Sequence, residues 1–328
     1  MEAPELPPVS PTPEQSLLAN LRNWTDVFPW LRLVKVCRVA GGPVWIVHSV
    51  AALVLWWMGL RLLHVDLGGM VSDDGYRRLF APSSFEVVGI LWTWLLALPH
   101  MMAFVRVGAL LTAGREIPSY LGTWKLVGRR LSLGALILIL PVLSSLPFVI
   151  AAWVCTTLAS WLVFAQPMAD WVSMLWIVPS LIVAGLLLVG AKAAVPLALV
   201  SLMTEAKPDA MDSLSRGYEY ALRRLPQVIG YALVAIMMAL PVLLGWGLVL
   251  LTAWWVAIVS GAASGKVMWL LIMTGAAIAM MLITAMIGGV YLLLRRSAGG
   301  QEIADVWAES EGWIAPPMPS VRQNKLSS

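Results

Sequence analysis

Six long apolar runs alternate with polar intervals along this chain, at about 44–63, 87–111, 131–165, 171–203, 226–260 and 267–294. A helix crosses the roughly 30 Å of bilayer hydrocarbon with about 20 apolar residues, so each run is long enough to span a membrane. The third and fifth runs are much longer than that and contain Pro141, Pro147 and Pro241. Such runs either tilt and project beyond the bilayer or break at proline. Neither contains a polar turn that would split it, so the expected count stays at six. The predicted fold is all-α: a polytopic helical membrane protein with six transmembrane helices in three hairpins and cytoplasmic amphipathic helices between them. Residues 1–13 form a proline-rich N-terminus expected to be disordered. An amphipathic juxtamembrane segment at 14–40, the transmembrane domain at 41–296 and a cytoplasmic tail at 297–328 follow.

The longest polar interval between two apolar runs reads TEAKPDAMDSLSRGYEYALRR. Pro208 and Asp209 mark a helix start, with Asp209 and Asp212 near the positive end of its dipole. Met211, Leu214, Tyr218, Leu222 and Leu225 recur at three- and four-residue steps and share a face. Asp212 with Arg216, and Glu219 with Arg223, are i,i+4 pairs on the other side. Arg223 and Arg224 close the segment. It reads as an interfacial helix contacting lipid headgroups or a partner, or as a solvated connector. Two further amphipathic pieces are predicted. Leu17, Leu21, Trp24, Phe28 and Leu31 share a face interrupted at Pro29, and Tyr120, Trp124, Val127 and Leu131 line a segment at 117–130. Basic ends at Arg38, Arg129-Arg130 and Arg223-Arg224 each precede a hairpin. This suggests a threefold parallel repeat, although any six-span chain with both ends on one side divides into three hairpins.

Composition agrees with the pattern. The chain of 328 residues is 60% hydrophobic and 12% charged, where a soluble domain has about 25% charged residues. Its mean hydropathy is +0.83. The 18 tryptophans suit a protein anchored at two bilayer interfaces. The first residues carry no basic and apolar signature of a cleavable leader. Of the 22 Lys and Arg residues, only Arg61, Arg77, Arg78 and Lys266 fall in the connections on one side, and Arg106 and Lys192 lie inside apolar runs. All the others fall on the side that carries the termini. The positive-inside rule therefore puts both termini in the cytoplasm of a multi-pass inner-membrane protein. The net charge of +4 reflects these loops and does not point to nucleic acid.

No catalytic, cofactor-binding or metal-binding constellation emerges. The 18 acidic residues lie in loops, tails or span ends, which disfavours a proton relay. His48, His64 and His100 form no metal-binding motif in sequence, Cys37 and Cys155 no CxxC, and neither a P-loop nor a GxSxG elbow occurs. Gly185, Gly190, Gly288 and Gly289 are expected to pack helices closely. Arg106 lies within snorkelling reach of the cytoplasmic headgroups. Lys192 lies deeper, where it must face helix carbonyls, a water-filled cavity or a lipid phosphate, unless the fourth span ends near Ala194. Together Arg106 and Lys192 are the candidate anionic-lipid site.

The stretches PWLRLVKVCRVA, RVGALLTAGREIPSYLGTWKLVGRR, EAKPDAMDSLSRGYEYALRR and VYLLLRRSAGGQEIADVW resemble a family of six-span membrane proteins of planctomycete-type bacteria. Glu205, Ala210, Ser215 and Tyr218 are more distantly similar to the membrane domain attached to some glycerophosphodiester phosphodiesterases. The resemblance spans 29–307 and implies no activity, and the spans leave no room for a phosphodiesterase domain. The expected function is a non-enzymatic scaffold or assembly subunit, contacting membrane lipids and other membrane protein subunits. The alternative is a transporter or lipid-handling protein with a cytoplasm-facing basic pocket.

Overall fold

Six helices long and apolar enough to cross a membrane are found in the computed structural model. It describes residues 24–25, 27–64, 84–161, 166–299, 303 and 306–307, and among these no strand occurs. The spanning helices are α1 (Pro43–Leu62), α2 (Ser84–Thr112), α3 (Tyr120–Trp161), α4 (Gln166–Thr204), α6 (Leu225–Val259) and α7 (Gly265–Gly299). The short helix α5 (Ala210–Arg223) lies between α4 and α6, and a 3-10 helix (Pro29–Gly41) precedes α1.

Proline does not divide the long runs: α3 continues through Pro141 and Pro147, and α6 through Pro241. At about 1.5 Å per residue, the 42 residues of α3 measure about 63 Å, twice the hydrocarbon thickness. The predicted amphipathic piece at 117–130 is therefore no separate helix but mostly the first turns of α3. The corresponding junction between α5 and α6 does break, because Pro226 enters there in the first turn of α6 and removes a backbone donor.

The predicted N-terminal amphipathic helix also takes another form where it is described. Trp30, Leu33, Val36 and Val39 recur every third residue, the period of a 3-10 helix, in which i and i+3 eclipse. Leu33, Val36 and Val39 are fully buried against α2, α6 and α7. Arg32, Lys35 and Arg38 recur with the same period as a second stripe. Leu17 and Leu21 lie outside the described residues.

The core is concentrated at one end of the bundle. Residues 102–112 of α2 are all buried, as are most of 281–294 of α7. There α2 and α7 approach to backbone contact: a Cβ on Gly108 would overlap the Ala285 carbonyl, and one on Gly288 the Val105 carbonyl. The other end is lined with exposed Trp153, Trp161, Trp171, Trp176 and Trp255, as expected of side chains at a bilayer interface.

Candidate functional site

At the packed end, residues 194–204 of α4 are buried apart from Pro196, which is half-buried. The last carbonyls of a helix lack intrahelical partners, and burying them unpaired is costly. Two arginines meet that need here. Arg106 of α2 donates from Nη1 to the Met203 carbonyl at 2.7 Å, and Arg130 of α3 donates to the Leu202 carbonyl. Both guanidinium groups are buried, and both lie against the Trp307 ring, 5.4 Å and 4.8 Å from its centroid. The Trp307 backbone N–H donates to the Thr204 carbonyl at 3.1 Å, with Ile303 and Val306 buried beside it. Cations at the negative end of a helix dipole are stabilising, and the aromatic face adds to that. Arg224 does the same for α7, donating to the Ser297 and Ala298 carbonyls at 3.0 Å and 3.3 Å. In the second and third hairpins alike, the second arginine of the pair caps the returning helix.

Helix α5 starts at Asp209, whose carboxylate accepts from the Met211 N–H at 2.9 Å. It runs back along α4, packing by small residues. Ser213, Gly217 and Ala221 are buried; a Cβ on Gly217 would overlap the Ala194 carbonyl and crowd Ala198, and Gly190 of α4 lies against the Tyr218 ring. The Tyr218 hydroxyl donates to the Leu187 carbonyl at 2.7 Å. Of the apolar positions predicted to share a face, Leu214 is buried and Tyr218 half-buried, whereas Met211, Leu222 and Leu225 are exposed. The buried face is thus rotated towards the small residues.

Both predicted ion pairs form, Arg216–Asp212 at 2.7 Å and Arg223–Glu219 at 3.7 Å. Arg216 also pairs with Glu205 at 2.5 Å, and Glu205 accepts from the Ser201 hydroxyl at 2.9 Å. Burial works against the Arg216 charge, but Glu205 and Asp212 outweigh it and hold the pKa above the usual arginine value.

Lys192 and Arg106 are not brought together. Arg106 is bound to Met203, eleven residues or about 16 Å further along α4. Lys192 instead lines a cavity of about 330 Å³ between α4, α6 and α7, walled by Pro196, Leu197, Val228, Ala235, Ala239, Ile283 and Met286 among others. No other lining residue is charged, and Lys192 makes no hydrogen bond or ion pair among the described residues. Although α4 continues to Thr204, Lys192 borders the same cavity as Val228, one turn into α6. Lys192 is itself exposed, and the α6 wall of the cavity runs on from Val228 to Leu243.

Sequence reasoning missed Arg130, which it counted with the exposed loop cations, and Trp307, which it left in the tail. It also missed that His48 and His100 come together, their ring centroids 6.0 Å apart. Among the described residues no group of three or more metal-ligating side chains occurs. No known protein family, curated protein or solved structure matches this chain.

Proposed function

We propose that this protein is a non-enzymatic lipid-handling component of the bacterial inner membrane, with both termini cytoplasmic, and that it holds an anionic lipid at Lys192. The observation that carries the reading is the lone cation on the rim of an otherwise apolar cavity. A cation beside hydrocarbon walls is favoured by a counter-anion, and an amphiphile supplies both a phosphate for the ammonium and a chain for the cavity. Lysine serves such a headgroup as a flexible point charge. This leaves Arg106 and Arg130 as architectural cations that close α4. Lipid handling is preferred to scaffolding because the cavity has a chemistry of its own, whereas the exposed residues Met211 and Leu222 suit a bilayer surface as well as a partner.

The test is quantitative lipid analysis of the full chain purified from its membrane. Lys192→Leu is expected to lower the anionic lipid retained per protein several-fold, and Lys192→Arg to keep it. Unchanged retention in Lys192→Leu, together with a higher Tm, would show a lysine that is only tolerated.

A further inference from the structure

A second cavity, on the opposite flank of the bundle, has a different chemistry. It measures about 260 Å³ and is lined by His48, Ala51, Ala52, Leu55, Leu96, Pro99, His100 and Trp124, from α1, α2 and α3. His100 is 2% exposed, and neither of its ring nitrogens has a hydrogen-bond partner; nor does the buried Trp124 Nε1. His48 stacks on His100, lies 4.6 Å from the Trp124 ring, and shares a hydrogen bond of 2.9 Å between its Nδ1 and the Tyr120 hydroxyl. With the phenol donating, the His48 proton sits on Nε2. Buried polar atoms of this kind are ordinarily satisfied, so a cluster of them at one cavity calls for a ligand or for water. Ser49, Ser213 and Trp269 also lack partners, but none of them lines either cavity on this flank.

Leu55 also lines a second space, an apolar groove of about 1010 Å³ that continues along the same three helices away from the packed end. Its walls are Leu, Ile, Val, Met, Ala, Gly and Trp side chains. Of the two tryptophans that line it, Trp92 donates to the Trp56 carbonyl at 3.2 Å, and Trp94 is exposed, so no buried polar atom along the groove lacks a partner. The slot is therefore hydrocarbon-like along its length, and its buried unmet hydrogen-bonding groups stand at its inner end.

We propose that this slot binds an acyl lipid, with the chain in the groove between α1, α2 and α3 and its carbonyl oxygen among His100, Trp124 and His48. The indole nitrogen is a donor only, and a neutral imidazole carries one donor and one acceptor. The cluster thus offers more donors than acceptors, which suits a carbonyl or carboxylate oxygen. A bare hydrocarbon would leave these groups unpaired. Free fatty acid and the ester of a larger lipid share this chemistry.

The test uses the full chain in nanodiscs, labelled with a palmitate that carries a photoreactive diazirine on its chain, and peptide mapping. Saturable labelling of α1 and α2 is expected, competed by unlabelled palmitate and not by hexadecane. Competition by methyl palmitate as well identifies the ester carbonyl as sufficient. Competition by palmitate alone identifies the free acid. Trp124→Phe, which keeps an aromatic ring but removes the donor along with the five-membered part of the indole, and His100→Leu are each expected to weaken labelling about tenfold, in line with the loss of a hydrogen bond in a buried site. Lys192→Leu is expected to leave it unchanged, which separates this site from the one proposed above. Equal competition by hexadecane, unchanged labelling in both slot variants, or no saturable labelling, the cavity then holding water alone, would each overturn the proposal.

Discussion

Helix α4 is two different helices in one. Between residues 173 and 193 only Ala184 is buried, whereas between 194 and 204 every residue but Pro196 is. Both halves are apolar, so composition does not explain the difference. In the outer half the environment is lipid, and lipid tails are as apolar as leucine, so nothing drives large side chains inward. At the packed end the helices are held by backbone approach at glycine, by arginines on helix ends and by an indole laid over them. Hydrophobicity puts this protein into a membrane, and small residues and capped carbonyls decide where it packs.

The largest loss is expected where backbones touch. Gly288→Val brings a branched side chain against the Val105 carbonyl and the Ala109 N–H, so α2 and α7 must separate. Overpacking of this kind costs about 1–3 kcal/mol in ordinary cores, and here the neighbour is backbone, which cannot turn aside. The predicted outcome is loss of the parent's single folded peak in size-exclusion chromatography. A normal elution profile would show that the α2–α7 contact does not hold the packed end.

Next is the cap on α4. Arg130→Met removes a buried donor from the Leu202 carbonyl and is expected to cost about 1–3 kcal/mol, read as a lower Tm. Trp307→Leu keeps an apolar group but removes the ring from both arginines, and about 0.5–2 kcal/mol is expected. If Arg130→Met melts like the parent, the packed end owes nothing to its cations.

On α5 the contrast is between faces. Gly217→Leu is expected to lower the Tm clearly, because a Cβ there meets the Ala194 backbone. Met211→Ser, on the exposed side, should change the stability by no more than about 0.5 kcal/mol. Equal effects would mean that α5 is not docked by its small residues. The smallest effect is expected at the lipid-facing end, where Leu248→Ala, 66% exposed, should leave the stability within about 0.5 kcal/mol of the parent. Reporters fused after Arg115, Lys207 and Ser297 should register cytoplasm, and those near Asp73, Asp170 and Ser264 the other side.

Much of the architecture is legible along the chain because period and length carry it. The six apolar runs match the six spans to within a few residues except at the start of α3, and the Asp209 start and both α5 ion pairs form as spaced. What escapes is relational. Arg130 meets its carbonyl 72 residues away, and nothing in GRRL distinguishes it from Arg129. The docking face of α5 was written as Ser213, Gly217 and Ala221, but large apolar residues on the neighbouring arc gave the stronger periodic signal. The three-residue step of Leu33, Val36 and Val39 was visible too, and it specified a 3-10 segment where an α-helical face was expected. His48 and His100 stand on different helices, so only the fold could bring them together.

The central claim is that the packed end is built by the protein and the other end is completed by lipid. Spin labels at the exposed positions Leu121 and Met211 report on the first, and labels at Leu175 and Leu251 on the second. Pulsed electron-electron resonance distances should be measured for both pairs in detergent and in bilayers of two thicknesses. The account predicts one narrow, unchanged distance for Leu121–Met211, and a distance for Leu175–Leu251 that shifts or broadens with the surrounding lipid. A broad packed-end distance, or an outer pair that ignores the bilayer, would contradict it.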